Sequence, residues 1–566
     1  MKKNLVLVVV LISLTVLTSL AQKKPAAKVP FSVVEATIPD MQKALKEGRV
    51  TSHELVAQYL MRIGMYNQKL RAAITVNPQA LAQADQLDRE RAQGRLRGPL
   101  HGIPVGLKDN ILTTSLPTSG GTIAFEGYVP PYAATLTKNL EESGAIIIAK
   151  TGMSELANWM ATGLPGNYNA LGGQGFNPYD PRKDPRDATF DGRPVLGTGG
   201  SSSGVGTAAN LWAANVGTET SGSILSPSNQ NMLAAIKPTV GRISRWGIIP
   251  VTLDQDTAGP MAKSVSDVAI MFGVLESAKP DPNDVATQRC VPPPNRDYTP
   301  FLKADGLKGA RIGIPRANYY SAFTVPGTTQ PRGGLDVDQA KAMADAIDVL
   351  KKQGAIIVDP VEIPSVAEKD PKKNLLSWDI CRSQGTGEDE NCSIVFQYGM
   401  KRDFDKWLSS LGSSAPFKTL TELRAWNKAH EKAGTIKYGQ ATLDSSDARD
   451  LAKDKARYEA DRAKDILLGG TTGIDAVMKA NNLDALFFPG ASGAAIAAKP
   501  GYPTVLVPFA MVPNNPNPPL PAGFNAKPQP FGVGFTGMAC SEPKLLTFGY
   551  AFEQATRKRQ PPPSAP

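Results

Sequence analysis

Histidine is nearly missing from this chain. Only His53, His101 and His430 occur in 566 residues, and no H-E-x-x-H or other paired-ligand spacing exists, which excludes the common helical zinc-hydrolase motif. Cysteine is almost as sparse. Cys290, Cys381, Cys392 and Cys540 show no C-x-x-C spacing, so a zinc site built on thiolates is not expected. An even count permits disulfides in an oxidising compartment, and Cys381 and Cys392 are near enough in sequence to close a small loop; buried free thiols are the alternative. Beyond Leu20 no stretch is long and apolar enough to span a bilayer. No helix-turn-helix or other nucleic-acid motif accompanies the formal net charge of +10. Lys and Arg are interspersed with acids, so the basicity reads as solubility and adhesion to anionic surfaces. Neither a metal nor an organic cofactor is expected, nor a nucleic-acid partner. The sequence carries no signal of oligomeric state.

What is present supports a large folded chain: 41% of residues are hydrophobic and 20% charged, enough for a sizeable core. The first residues read as an export signal. Lys2 and Lys3 precede an apolar run from Leu5 to Leu20, and Ser19-Leu20-Ala21 places small residues at a cleavage site. The expectation is removal of residues 1–21, a periplasmic or secreted protein, and no stable membrane association afterwards. An uncleaved anchor is the alternative. No Cys follows the apolar run, so lipid attachment there is not expected. Residues 22–32 read as a loose leader, 33–560 as one domain, and the Pro-rich 561–566 as a mobile tail.

Hydrophobic periodicity alternates along that domain. Thr51-Ser-His-Glu54 is a capping box before a helical pattern of Leu55, Val56, Tyr59, Leu60 and Ile63. Residues 79–95 and 133–144 read as helices. Pro104–Leu107 and Ala145–Ala149 read as buried strands, and a helix-then-strand unit recurs over 337–358. Apolar strands return at 486–488 and 504–507. This pattern predicts an α/β protein: a mixed, largely parallel central sheet covered by helices. Residues 164–198 read as a long loop. Residues 364–470 are charged and helix-prone and read as a helical insertion, either a lid or a solvated scaffold.

The stretch Gly197-Thr-Gly-Gly-Ser-Ser-Ser-Gly-Val-Gly206 could be a linker. It also contains the G-x-S-x-G pattern of a nucleophile elbow centred on Ser202. That elbow needs a histidine base later in the chain. His53 and His101 come earlier, and His430 lies in a charged helical segment. A lysine is the better base, and burial can lower its pKa from the usual ~10.4. Lys108 ends an apolar run and fits that need. Downstream, Gly217-Thr-Glu-Thr-Ser-Gly-Ser-Ile224 can form a small-residue turn whose N–H groups converge, as an oxyanion hole requires; a helix N-cap is the alternative.

Several blocks, taken together in order, resemble the amidase signature family. They are HGIPVGLKDN (101–110), GTGGSSSG (197–204), GTETSGSI (217–224) and the run from Ile236 to Ala269. Further likeness lies at 146–159, 306–316 and 541–556, and it fades over 364–470. The resemblance implies the amidase signature fold and a Ser–cis-Ser–Lys triad. By motif, Ser223 is the nucleophile, Ser201 the relay and Lys108 the base. It implies a cis peptide between Ser201 and Ser202, and an oxyanion hole from the N–H groups of Thr220, Ser221, Gly222 and Ser223. It also implies hydrolysis of a small-molecule or peptide amide to a carboxylate and an amine through an acyl-enzyme. The wording is closer to amidases of peptide or aryl amides than to the subunit that acts on charged tRNA. Two departures stand out. Ser201 and Ser223 are 22 positions apart, a couple fewer than is usual in the family. If the intervening segment is a helix, two missing residues turn one end by about 200° relative to the other. In addition, SPSNQNMLAAIKPT (226–239) replaces a Gly-containing run. Two alternatives follow: an amidase-fold binding protein without turnover, or an esterase-like hydrolase using Ser202.

Overall fold

The computed structural model describes residues 31–186 and 191–566. The expected export signal, and all of the leader but Phe31 and Ser32, lie outside the described residues. Eleven strands form the main sheet. They are β1 (Ala73–Val76), β2 (Pro104–Lys108), β3 (Ile146–Thr151), β4 (Ala214–Glu219), β5 (Ala234–Lys237), β6 (Thr257–Ala262), β7 (Arg311–Pro315), β8 (Ile356–Val361), β9 (Ala485–Pro489), β10 (Thr504–Val512) and β11 (Gln529–Thr536). Their spatial order is β1-β3-β2-β4-β6-β5-β10-β11-β9-β7-β8. The sheet is mixed. One parallel block is β3-β2-β4 and another is β9-β7-β8. The strands between the two blocks pair antiparallel.

The strands at the site read as unbroken buried runs because helices cover both faces. Every residue of β2, β3 and β4 is buried. The sequence placed most flanking helices well. Thr51 caps Ser52–Leu70 through the reciprocal bonds to Glu54 that the capping box predicts. Ala80–Ala92, Thr135–Glu142 and Val337–Lys352 are helical as their periodicity requires.

The spacer after Ser201 takes a path that the sequence left open. Its helix is short, Ser202–Ala208, and does not continue toward β4. Asn210 turns left-handed, with φ 55°. The Trp212 indole N–H donates to Thr207 Oγ1 at 2.9 Å and folds the chain back. The connection to β4 is therefore made by a tight turn beyond a short helix and does not depend on a long helix between the two serines.

That turn is fixed from outside. Arg62 donates to Ala209 O (3.0 Å) and Asn210 O (2.9 Å). The same guanidinium donates to Ala565 O and Pro566 O, both at 2.8 Å. Ser564 Oγ adds a bond to Pro178 O at 2.6 Å. The tail expected to be mobile is thus docked, because a buried cation needs carbonyl acceptors and the tail supplies two of them.

Residues 364–470 are helical as expected, with Val395–Ser410, Leu420–Ala429, Ala441–Asp447 and Lys455–Ile466 as the main elements. They are not merely solvated. Phe396, Phe404, Trp407, Leu420 and Leu443 join Leu112, Phe125, Leu156, Trp159 and Ile249 in a second apolar cluster. Both cysteine pairs are bridged, Cys381–Cys392 within the insertion and Cys290–Cys540 across the main domain.

Arg62→Ala should release the tail and loosen the turn at 209–210. The expected loss is roughly 3 kcal/mol in urea unfolding, the scale of charged hydrogen bonds with buried acceptors left unmet. Limited carboxypeptidase digestion should then shorten the chain. A tail that stays protected in this variant would contradict the docking argument.

Candidate functional site

Three side chains named from sequence come from neighbouring carboxyl ends in the β3-β2-β4 block, where α/β sheets bind ligands. Lys108 is the last residue of β2 and Thr218 lies near the end of β4. The segment after β3 pairs with the serine stretch: Met153 bridges Ser201 antiparallel. Ser202 N–H donates to Gly152 O at 2.8 Å, and Ser154 N–H to Gly200 O at 3.1 Å. The stretch is therefore a fixed seam and not a linker.

Lys108 is fully buried, and Nζ donates to Thr218 O and Thr218 Oγ1, both at 2.9 Å. Burial pushes its pKa down to about 8, against a smaller upward pull from the Glu219 and Asp256 carboxylates. Asn110 Nδ2 donates to the same Thr218 hydroxyl at 3.0 Å, so the acceptor is itself oriented. A neutral amine has two hydrogens. Both go to Thr218, which leaves the lone pair free to accept a proton.

Ser201 is buried, and its Oγ has no hydrogen-bond partner among the described residues. Its backbone is extended, φ −163° and ψ 149°, at the cap of the short helix. Ser223 stands in a cleft of about 410 Å³ lined also by Gly199, Gly200, Ser221 and Gly222. A Cβ on Gly200 would lie 2.9 Å from Ser223 Oγ, so only glycine lets the two serine segments approach this closely. Gly199, with φ 72°, would bring a Cβ to 2.3 Å from Pro227 N.

The turn at 220–223 presents backbone donors. Ser221, Gly222 and Ser223 N–H make no hydrogen bond among the described residues. Gly222 is left-handed, with φ 96°. The next two N–H groups, of Ile224 and Leu225, are capped by Glu219 Oε2 at 2.7 and 2.9 Å. Thr220 is tied down from β6's approach: its hydroxyl donates to Asp256 Oδ1, and Gln255 Nε2 donates to its carbonyl. Burial raises the Asp256 pKa to about 7, with hydrogen bonds from Thr220 and Val251 opposing.

The expected cis peptide between Ser201 and Ser202 is not found. Among the described residues the cis bonds are Asp359–Pro360 and Asn517–Pro518. Here Ser202 begins the helix, and the backbone bonds to 152–154 hold the extended Ser201 without a reversed peptide. Ser202 Oγ is occupied: it donates to Arg71 O at 3.1 Å and accepts from Asn167 Nδ2 at 2.9 Å. No histidine serves it. His53 pairs with Asp85, His101 bonds Leu87 O, and His430 bonds Trp426 O. The elbow reading has no base.

Sequence reasoning passed over Thr218, Asn110, Glu219, Asp256 and Gln255, which orient the lysine and the turn. All five lie inside blocks already singled out; Asn110 directly follows Lys108-Asp109. Lys237 was also missed. It is buried, its Nζ has no hydrogen-bond partner among the described residues, and burial pushes its pKa down to about 8, with Glu219 and Glu542 pulling upward.

Comparison with known proteins agrees over nearly the whole chain. The family model described as Amidase matches residues 54–546. A probable amidase of Arabidopsis thaliana is 33% identical over 537 residues, 94% of this chain and 92% of the relative. The native peptide amidase of Stenotrophomonas maltophilia matches with a TM-score of 0.78 at 35% identity, covering 94% of this chain and 99% of that one. An amidase family protein from Bacillus anthracis str. Ames gives 0.76 at 30%, covering 94% and 92%.

Glu219→Gln keeps acceptors for Ile224 and Leu225 but removes the largest charge supporting protonated Lys108. The Lys108 pKa should then fall below about 8, as read by nitrogen NMR of labelled lysine side chains. A pKa that rises or stays put would show that Glu219 does not act on this amine.

Proposed function

The chain belongs to the amidase signature family of amide hydrolases, and from that premise we propose that Ser223, Ser201 and Lys108 form its reacting triad. The observation that supports this reading is Lys108, a fully buried amine bonded to Thr218 at the end of β2, together with a buried Ser201 hydroxyl that has no hydrogen-bond partner among the described residues. An unpaired buried hydroxyl costs about 1–3 kcal/mol, which favours a role that only the reacting complex satisfies.

The proposed sequence of events balances simply. Ser223 Oγ bonds to the carbonyl carbon and gives its proton to Ser201 Oγ, whose own proton passes to the Lys108 lone pair. The carbonyl oxygen becomes an oxyanion, held by N–H groups of residues 220–223. Protonated Lys108 then sits near Glu219 and Asp256. The C–N bond breaks as Ser201 returns a proton to the leaving amine. Water repeats the relay against the Ser223 ester, releasing a carboxylate. No residue of this scheme needs a cofactor. The substrate proposed is a small-molecule or peptide amide. A similar solved structure is of a peptide amidase in complex with the competitive inhibitor chymostatin, which supports that class.

We also propose export to the periplasm or beyond. Support comes from the pattern of residues 1–21 and from the pairing of all four cysteines, which suits an oxidising compartment.

Ser223→Ala and Lys108→Ala should each lower kcat/KM at least ~10³-fold, as removal of one member of a nucleophile–base unit does. A fluorophosphonate should label Ser223 in the wild type only. Labelling that survives Ser223→Ala would overturn the assignment. The wild-type rate should also rise with pH through about 8, because Lys108 acts as a base only when neutral. A rate flat across that range, with chemistry limiting, argues against a lysine base.

A further inference from the structure

Few large apolar side chains line the cleft beside Ser223. Ligand pockets are mostly lined by apolar and aromatic side chains. Here the larger lining side chains are Asn158, Gln174, Arg193 and Gln230, and the apolar contribution is two prolines, Pro165 and Pro194. Arg193 is the one charged side chain lining it among the described residues.

Arg193 is held in place but left unsatisfied. Its backbone lies in a short ribbon: Lys183 bridges Pro194, Asp184 N–H donates to Arg193 O at 2.7 Å, and Val195 N–H to Arg182 O at 3.0 Å. The side chain is half-buried. Its Nε is buried without a partner, and it makes no ion pair among the described residues. Two carboxylates feel its charge, Asp184 and Asp191. Each is already engaged, Asp184 by Arg186 and Asp191 by Lys437 and Tyr438.

Gln174 supplies an independent observation. It is only 8% exposed, and neither its Nε2 nor its Oε1 makes a hydrogen bond of good geometry. It approaches the Tyr438 hydroxyl, on which the Arg193 charge also acts. Asn158 Oδ1 and Gln230 Oε1 are likewise buried and unpaired. A guanidinium and a carboxamide line the cleft with no ion pair and no hydrogen bond of good geometry among the described residues, and both carry N–H donors suited to an anion.

We propose that Arg193 and Gln174 form a subsite for a carboxylate on the acyl portion of the amide substrate, so that the enzyme selects anionic amides over neutral and aryl amides. This rests on the amidase reading. The carboxylate could sit on the side chain of an amino-acid amide or end a short dicarboxylic monoamide, and matched probes separate these. Acetyl-glutamate α-amide is compared with acetyl-norvaline amide, and succinamate with butyramide.

In at least one pair, wild-type kcat/KM should favour the anion by about tenfold, the scale of one partly desolvated charge pair. The advantage should shrink as salt is raised. Arg193→Gln should bring the ratio toward one, and Arg193→Glu should invert it. The same probes are titrated calorimetrically into Ser223→Ala and into Ser223→Ala/Arg193→Gln. Binding should favour the anion in the first and not in the second. Equal ratios with and without Arg193, in turnover or in binding, overturn the proposal. Charge-selective binding without turnover of any amide supports the subsite and overturns the amidase reading alone.

Discussion

An ammonium group taken out of water is costly unless charge surrounds it, and Lys108 is removed from water completely. The strand that carries it cannot avoid this, because β2 is buried end to end between β3 and β4. The result is an amine that titrates near about 8. A larger share of such a lysine is neutral near pH 7 than of a free one. Glu219 and Asp256 set the other limit. They keep the protonated form affordable for a moment without making it permanent. The rest of the site can be read as geometry arranged around that poised proton acceptor.

The serine stretch is one part of that geometry. It is bonded along one side to residues 152–154 and packed along the other against Ser223 and Pro227. Glycine is needed there for approach distance, and flexibility plays no part. The spacer between the seam and β4 is short. Its helix ends at Ala208, so the connection to β4 depends on the turn at Asn210 and not on helical phase. Arg62 and the docked tail hold that turn, which links residues 564–566 to the connection between Ser201 and β4.

How much of this was legible in the sequence depended on whether a signal was local. The capping box at Thr51, the buried strands at β2 and β3, and the helix-strand unit at 337–358 carry their periodicity within a few residues. Lys108, Ser201 and Ser223 could be singled out because their blocks are distinctive in order. The partners of Lys108 were not, since nothing local marks Thr218 or Asp256 as neighbours of a residue more than a hundred positions away. The cis peptide came only with the family resemblance, and the local backbone bonds of Gly152 and Ser154 favour a different path. The tail misled for a related reason. Its composition suggests mobility, but its acceptors meet Arg62, whose burial no local pattern announces.

The helical insertion has a part in the site although none of its residues lines the cleft. Leu156, Ala157 and Asn158 are three successive residues in the left-handed region, with φ of 44°, 56° and 67°. Each costs roughly 1–2 kcal/mol in that conformation, so the turn persists only if its surroundings over-determine it. The insertion supplies much of that constraint. Trp159 donates to Ser446 Oγ at 3.0 Å and packs on Phe396 at 5.0 Å between ring centroids. Leu156 and Met160 enter the same apolar cluster. With those anchors in place the turn sends its apolar side chains toward the insertion and leaves Asn158 to line the cleft. The placement of Asn158 in the cleft therefore depends on the aromatic cluster behind it, and a change in the insertion can reshape the cleft without lying in it.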